Sequence, residues 1–170
     1  MELVKEYLYI VVEQWLYGRG VYPQDFFNSY DKYGQRIQIS RSPLVQKYIQ
    51  DFLHLLFVEK RTIPFTIQLQ LKTNDNDNDT LDNVIEEWTI CSNIMTSSSS
   101  SMVLEMYQKS LQHWIQQTIT YPISSSITSS SLHWSIQIIN PSSMQSNNTL
   151  TTLHPIYSYG KQLEMYCKTN

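Results

Sequence analysis

Hydrophobic positions along the first sixteen residues recur three or four apart, at Leu3, Tyr7, Leu8, Val11, Val12, Trp15 and Leu16, which predicts a helix with one broad apolar face. Gly18 and Gly20 end it. A second helix is predicted to open at Ser42, a good cap, with Pro43 in the position where a first turn best tolerates it. Its buried stripe is expected to be Leu44, Val45, Tyr48, Ile49, Phe52, Leu53 and Leu56. Between the two helices lies VYPQDFFNSYDKYG, residues 21–34, in which five of fourteen side chains are aromatic and no period is kept. Leaving such rings in water forfeits roughly 1.5–3 kcal/mol each, so the stretch is expected to be a connector packed down on the protein.

Beyond the second helix the period changes to two. FTIQLQLK, residues 65–72, places Phe65, Ile67, Leu69 and Leu71 on one face and polar residues on the other, as a half-buried strand does. VIEEWTI, residues 84–90, is a plausible antiparallel mate, and LHWSIQII, residues 132–139, alternates as a third strand. A helix is predicted between them over residues 102–119, with Val103, Met106, Tyr107, Leu111, Trp114, Ile115 and Thr118 inward. The serine tracts at 97–101 and 124–131 read as loops. Helices and strands in this order predict an α+β class with an antiparallel sheet.

With 170 residues the chain is long enough for one domain burying something near 70% of its unfolded surface. Twelve Lys and Arg against fifteen Asp and Glu give a net charge of -3, so there is no basic field to draw phosphates, and direct nucleic-acid binding is not expected. No apolar run approaches a membrane span, and Cys91 and Cys167 form neither a CxxC pair nor a disulfide framework. These features suit an intracellular protein.

Candidate chemistry is thin. Asp75 to Glu86 has Asp at positions 1, 3 and 5 and Glu at 12, the spacing of a helix-flanked calcium loop. Thr80 stands where that loop needs Gly, and strand periods flank it, so a hairpin tip is the expected role. The histidines, His54, His113, His133 and His154, show no HExxH spacing, and no serine sits in a GxSxG elbow. No enzyme, cofactor or metal is expected.

Residues 16–56 resemble a known family. Leu16, Tyr17, Arg19, the run Val21-Tyr22-Pro23, Phe27, Tyr33, and Tyr48-Ile49-Gln50-Asp51 with Leu53 and His54 are similar to the HORMA-domain family, nearest to the small accessory subunit of translesion DNA polymerase zeta. A fainter likeness covers the remainder, through WIQQTI, LHWSIQII, LHPI and LEMY. The resemblance implies a single HORMA domain over residues 1–170: an antiparallel sheet on about three helices forms a core over 1–140, and a C-terminal seat-belt region occupies 141–170.

The family likeness also implies a role. A non-catalytic adaptor would hold a short segment of the polymerase zeta catalytic subunit by strand addition and bridge it to a scaffold translesion polymerase in DNA damage tolerance, in the nucleus and also the cytoplasm. Tyr22 and Tyr48 match residues of the peptide channel, while Leu153, Glu164 and Tyr166 match scaffold-polymerase contacts, Glu164 replacing an amide. The segment Pro141 to Leu150 is shorter than the family's, which leaves full closure over a ligand open. A neutral residue near Gln112 replaces the arginine of the family's self-association helix, so no homodimer is expected. Other roles on the same fold are a spindle checkpoint adaptor or a scaffold of the autophagy kinase complex.

Overall fold

The computed structural model describes residues 2–59, 65–73, 83–93, 105, 108–109, 112–113, 115, 132–139, 151–158 and 161–169. Two compact units result, residues Met1–Glu59 with Ser97–Ser129 and residues Lys60–Thr96 with Ser130–Asn170.

In the first unit, helix α1 (Glu2–Gly18) buries Tyr7, Leu8, Val11, Val12, Trp15 and Leu16, as their spacing requires. It ends in a Schellman motif: Gly20 takes φ 60, its N–H donates to the Tyr17 carbonyl at 3.1 Å, and Val21 N–H donates to the Leu16 carbonyl at 3.2 Å. Strands β1 (Phe27–Lys32) and β2 (Gln35–Ser40) follow, paired antiparallel from Phe27–Ser40 to Lys32–Gln35. The connector expected over residues 21–34 is therefore half hairpin. Its turn is Tyr33-Gly34, with φ 52 and 70, the left-handed geometry of a tight two-residue hairpin.

The hairpin is held from α1 by polar side chains. Gln14 reads the backbone of Gln38 twice, donating from Nε2 to its carbonyl at 2.6 Å and accepting its N–H at Oε1 at 3.2 Å. Glu13 accepts the Ser40 N–H and hydroxyl, each at 2.9 Å. These two carboxamide and carboxylate groups complete the edge of a two-stranded sheet that a further strand would otherwise have to cover.

Helix α2 (Pro43–Glu59) starts where predicted, and Val45 N–H reaches the Ser42 hydroxyl at 3.5 Å. Ile49, Leu53 and Leu56 are buried, with Val45 and Phe52 half-buried. The expected stripe is wrong at one edge: Leu44 is 80% and Tyr48 46% exposed. At about 100° per residue, Leu44 stands opposite the buried Leu53 and cannot share its face. A third helical segment is present at Glu105, Gln108, Lys109, Gln112, His113 and Ile115, with Lys109 and Glu105 paired at 2.9 Å. The other residues assigned to its inner face lie outside the described residues.

The second unit is a five-stranded antiparallel sheet in the order β5-β3-β4-β7-β6, built from β3 (Phe65–Thr73), β4 (Asn83–Asn93), β5 (Leu132–Ile139), β6 (Thr151–Ser158) and β7 (Lys161–Thr169). The three predicted strands are β3, β4 and β5. Register sets Leu69 opposite both Trp88 and Ile136, and Ile67 opposite Ile90 and Ile138, so one face is a continuous apolar layer. The polar face of β3, expected to be solvated, is also buried at Thr66 and Gln68. There Gln68 accepts from Gln70 at 3.0 Å and from Gln137 at 2.8 Å, so neighbouring amides satisfy its carbonyl oxygen.

Candidate partner-binding site

Strand order places two edges at the ends of the larger sheet, β5 and β6. Among the described residues β5 pairs with β3 on one side alone, from Leu132–Thr73 to Ile139–Thr66. Such an edge carries a row of backbone donors and acceptors at strand spacing, the template on which an extended peptide adds as a further strand. The opposite side of β4 is already taken by β7 of the C-terminal hairpin, from Glu86–Thr169 to Asn93–Gln162.

Of the residues assigned to a partner peptide, Tyr22 stacks on Phe26 with centroids 4.7 Å apart and lies 6.5 Å from Phe27. Phe26 and Phe27 meet edge to face at 5.9 Å, and Tyr17 meets Phe27 in the same way at 5.3 Å. Three rings of the aromatic stretch thus join Tyr17 in a four-ring cluster that fastens the end of α1 to the start of β1. Tyr48 stands on α2 with nearly half its surface in solvent. Tyr30, expected to be packed, is 51% exposed. Tyr33 donates its hydroxyl to Glu6, to which Lys32 also donates.

Of the residues assigned to the scaffold polymerase, Tyr166 pairs with Thr89 and with Thr152, Glu164 with Cys91, and Leu153 with Met165. Glu164 and Tyr166 have the same register parity, and Leu153 has the other. These residues lie on a C-terminal hairpin of β6 and β7, which begins two residues earlier than Leu153 and is interrupted by a bulge between Leu153 and Ile156 that contains Pro155.

Two buried carboxylates went unrecognised in the sequence. Glu13 is pushed up by burial, with the Ser40 and Tyr9 hydrogen bonds pulling the other way. Burial raises Tyr9 as well, aided by the Glu13 charge. Glu86 lies on the apolar face of β4, opposite Leu71, where the Trp88 indole N–H donates to it. Position 12 of the calcium-like spacing is therefore a strand side chain turned inward, and Asp75 to Asp82 lie outside the described residues. Alternation alone could have flagged Glu86, since it shares the parity of Trp88 and Ile90.

No family model matches the chain, and no curated protein matches it in sequence. Its fold is shared with solved structures. A chain of a mitotic checkpoint complex is similar at TM-score 0.72 and 17% identity, covering 99% of this chain and 97% of that one. HTP-2 bound to a motif of HTP-3 is similar at TM-score 0.63 and 11% identity, covering 98% and 88%. C. elegans HTP-1 bound to a HIM-3 closure motif is similar at 0.62 and 10%, covering 96% and 86%. The architecture is that of the HORMA fold.

Proposed function

We propose that this chain is a peptide-binding adaptor that takes a short extended segment of a partner onto the outer edge of β5. The observation that carries this reading is the strand order: β5 ends the sheet, and the C-terminal hairpin occupies the other side of β4. Solved structures of the same fold are described as bound to closure motifs, which supports a bound segment of the same kind here. Main-chain hydrogen bonds would supply affinity and side-chain pockets selection. Such an adaptor needs no catalytic group.

Among adaptors, the likeness of residues 16–56 favours the accessory subunit of translesion DNA polymerase zeta. In that role Tyr22 and Tyr48 touch the catalytic-subunit peptide, Leu153, Glu164 and Tyr166 touch the scaffold polymerase, and the protein works in the nucleus. A checkpoint adaptor is the second reading, favoured by the TM-score of 0.72 to a chain of a mitotic checkpoint complex. Affinity purification with mass spectrometry separates them: recovery of a B-family DNA polymerase supports the first, and recovery of checkpoint proteins without a polymerase overturns it.

A further inference from the structure

The apolar arc of helix α2 is wider than its buried face. Ile49, Leu53 and Leu56 face inward, while Leu44 at 80%, Tyr48 at 46%, Leu55 at 42% and Val58 at 51% exposure form a second stripe. At about 100° and 1.5 Å per residue, these four and Asp51 fall within an arc of about 80° and a length of about 21 Å. A solvent-facing helix face would ordinarily be polar, as the arc of Gln50, His54 and Lys47 is on this helix, so an exposed apolar stripe beside it marks a surface that something covers.

We propose that this stripe is covered by the same stripe of a second copy, the two α2 helices running antiparallel about a two-fold axis near Ile49 and Gln50. Charge and spacing both select that arrangement. A two-fold interface must be self-complementary, each residue meeting on the second copy the residue that meets it in return. With the axis there, Leu44 of each copy lies against Leu55 of the other. Lys47 and Asp51, one turn apart and paired within the helix at 2.7 Å, lie within reach of Asp51 and Lys47 of the second copy. A parallel pairing would instead set Lys47 against Lys47. Shifting the axis to Asp51 would set carboxylate against carboxylate.

The contact is one helix stripe, below the roughly 800 Å² per partner of a stable interface, so the dimer is weak and depends on concentration. It uses a different element from the helical segment around Gln112. The inference is independent of the adaptor reading, though the two meet at Tyr48: a partner peptide held at that ring and a second copy covering it exclude each other.

Sedimentation equilibrium of the whole chain, without peptide, tests it. The mass should rise from 20.0 kDa toward twice that between about 5 and about 500 μM. Leu55→Glu, at an exposed position, should keep the native circular dichroism spectrum and lower association at least tenfold. Register is tested by diamide oxidation, which joins two thiols in a disulfide as diamide takes up their two protons and two electrons. A Leu44→Cys/Leu55→Cys double variant should give a strong covalent dimer, and Leu44→Cys alone no more than the unsubstituted protein with Cys91 and Cys167. A monomer throughout, undiminished association of Leu55→Glu, or equal cross-linking by the single variant would overturn the proposal. A monomer would mean that another protein covers the stripe, and it would leave peptide binding at β5 untouched.

Discussion

Glu13 is the residue on which the first unit turns, because one buried carboxylate satisfies both the N–H and the hydroxyl of Ser40. Removing it by Glu13→Ala orphans two buried donors, and a loss of roughly 2–4 kcal/mol is expected in chemical denaturation at neutral pH. Glu13→Gln keeps an acceptor for the Ser40 N–H and removes the buried charge, so it should be close to neutral there. The pH dependence has a definite sign. Glu13 is raised in the folded protein above 4.5, so the fold binds its proton more tightly than the unfolded chain. Its contribution is complete below about pH 4.5 and is lost as pH rises through the folded value. Glu6 runs the other way: burial would raise it, but Lys32 and Tyr33 outweigh that and lower it, so its contribution is lost as pH falls through its depressed value. Stability measured from pH 4 to 8 should decline more steeply toward the alkaline end in the native protein than in Glu13→Gln, which keeps the Glu6 slope on the acid side. An unchanged slope in the variant would remove Glu13 as its source. Tyr48 offers the complementary case. Tyr48→Ala should cost under about 1 kcal/mol, since the ring is half in solvent, whereas Ile49→Ala beside it should cost about 2–5. Lost peptide affinity in a stable Tyr48→Ala protein then reports recognition.

Elements were legible where one period governed them. β3 and β5 declared themselves by strict alternation, and α1 by its three-and-four spacing, because each has one face on which nearly every residue is apolar. The β1–β2 hairpin did not, since its structure is supplied from outside the strands: Gln14 and Glu13 of α1 hold β2, and only Ile37 and Phe27 of the pair are buried apolar residues. Its turn was hidden for a similar reason, with Tyr33 in left-handed geometry where Asn or Gly would have announced it. That conformation is held by the Tyr33 bond to Glu6. Gly34→Ala, at φ 70, should destabilise the protein by about 1–2 kcal/mol although no heavy atom beyond its chain neighbours stands within 4 Å of the added methyl, which makes the cost one of backbone strain. Thermal denaturation checks it, and no loss would place the strain elsewhere. In α2 the helix was plain but the limit of its buried face was not, since the apolar arc runs unbroken from the exposed Leu44 to the buried Leu53 and gives no contrast at the point where burial stops.

For the whole molecule, the candidate peptide edge was visible in the sequence as LHWSIQII, but that β5 ends the sheet follows from pairings between strands as distant as β4 and β7, which no local pattern contains. The proposed scaffold contacts belong to this scale too. Leu153 and Tyr166 differ in register parity, so they do not share a pleat position, and their truncations should weaken scaffold binding additively, each by about 2 kcal/mol or near thirtyfold. Calorimetry with a scaffold-polymerase fragment reads this, and coupling above about 0.5 kcal/mol would place them in one cluster. Peptide addition makes the sharper demand. If a partner segment joins the outer edge of β5, it must bond alternate amides of Leu132–Ile139, those turned away from β3, because successive backbone groups of a strand point to opposite sides. Hydrogen exchange with and without the catalytic-subunit peptide should therefore slow every second amide of β5 by tenfold or more, while its partners already bonded to β3 change little. Protection at every residue would mean ordering of the strand as a body. Protection along β6, the sheet's other end, would move the site to the C-terminal hairpin and take β5 out of the peptide's path.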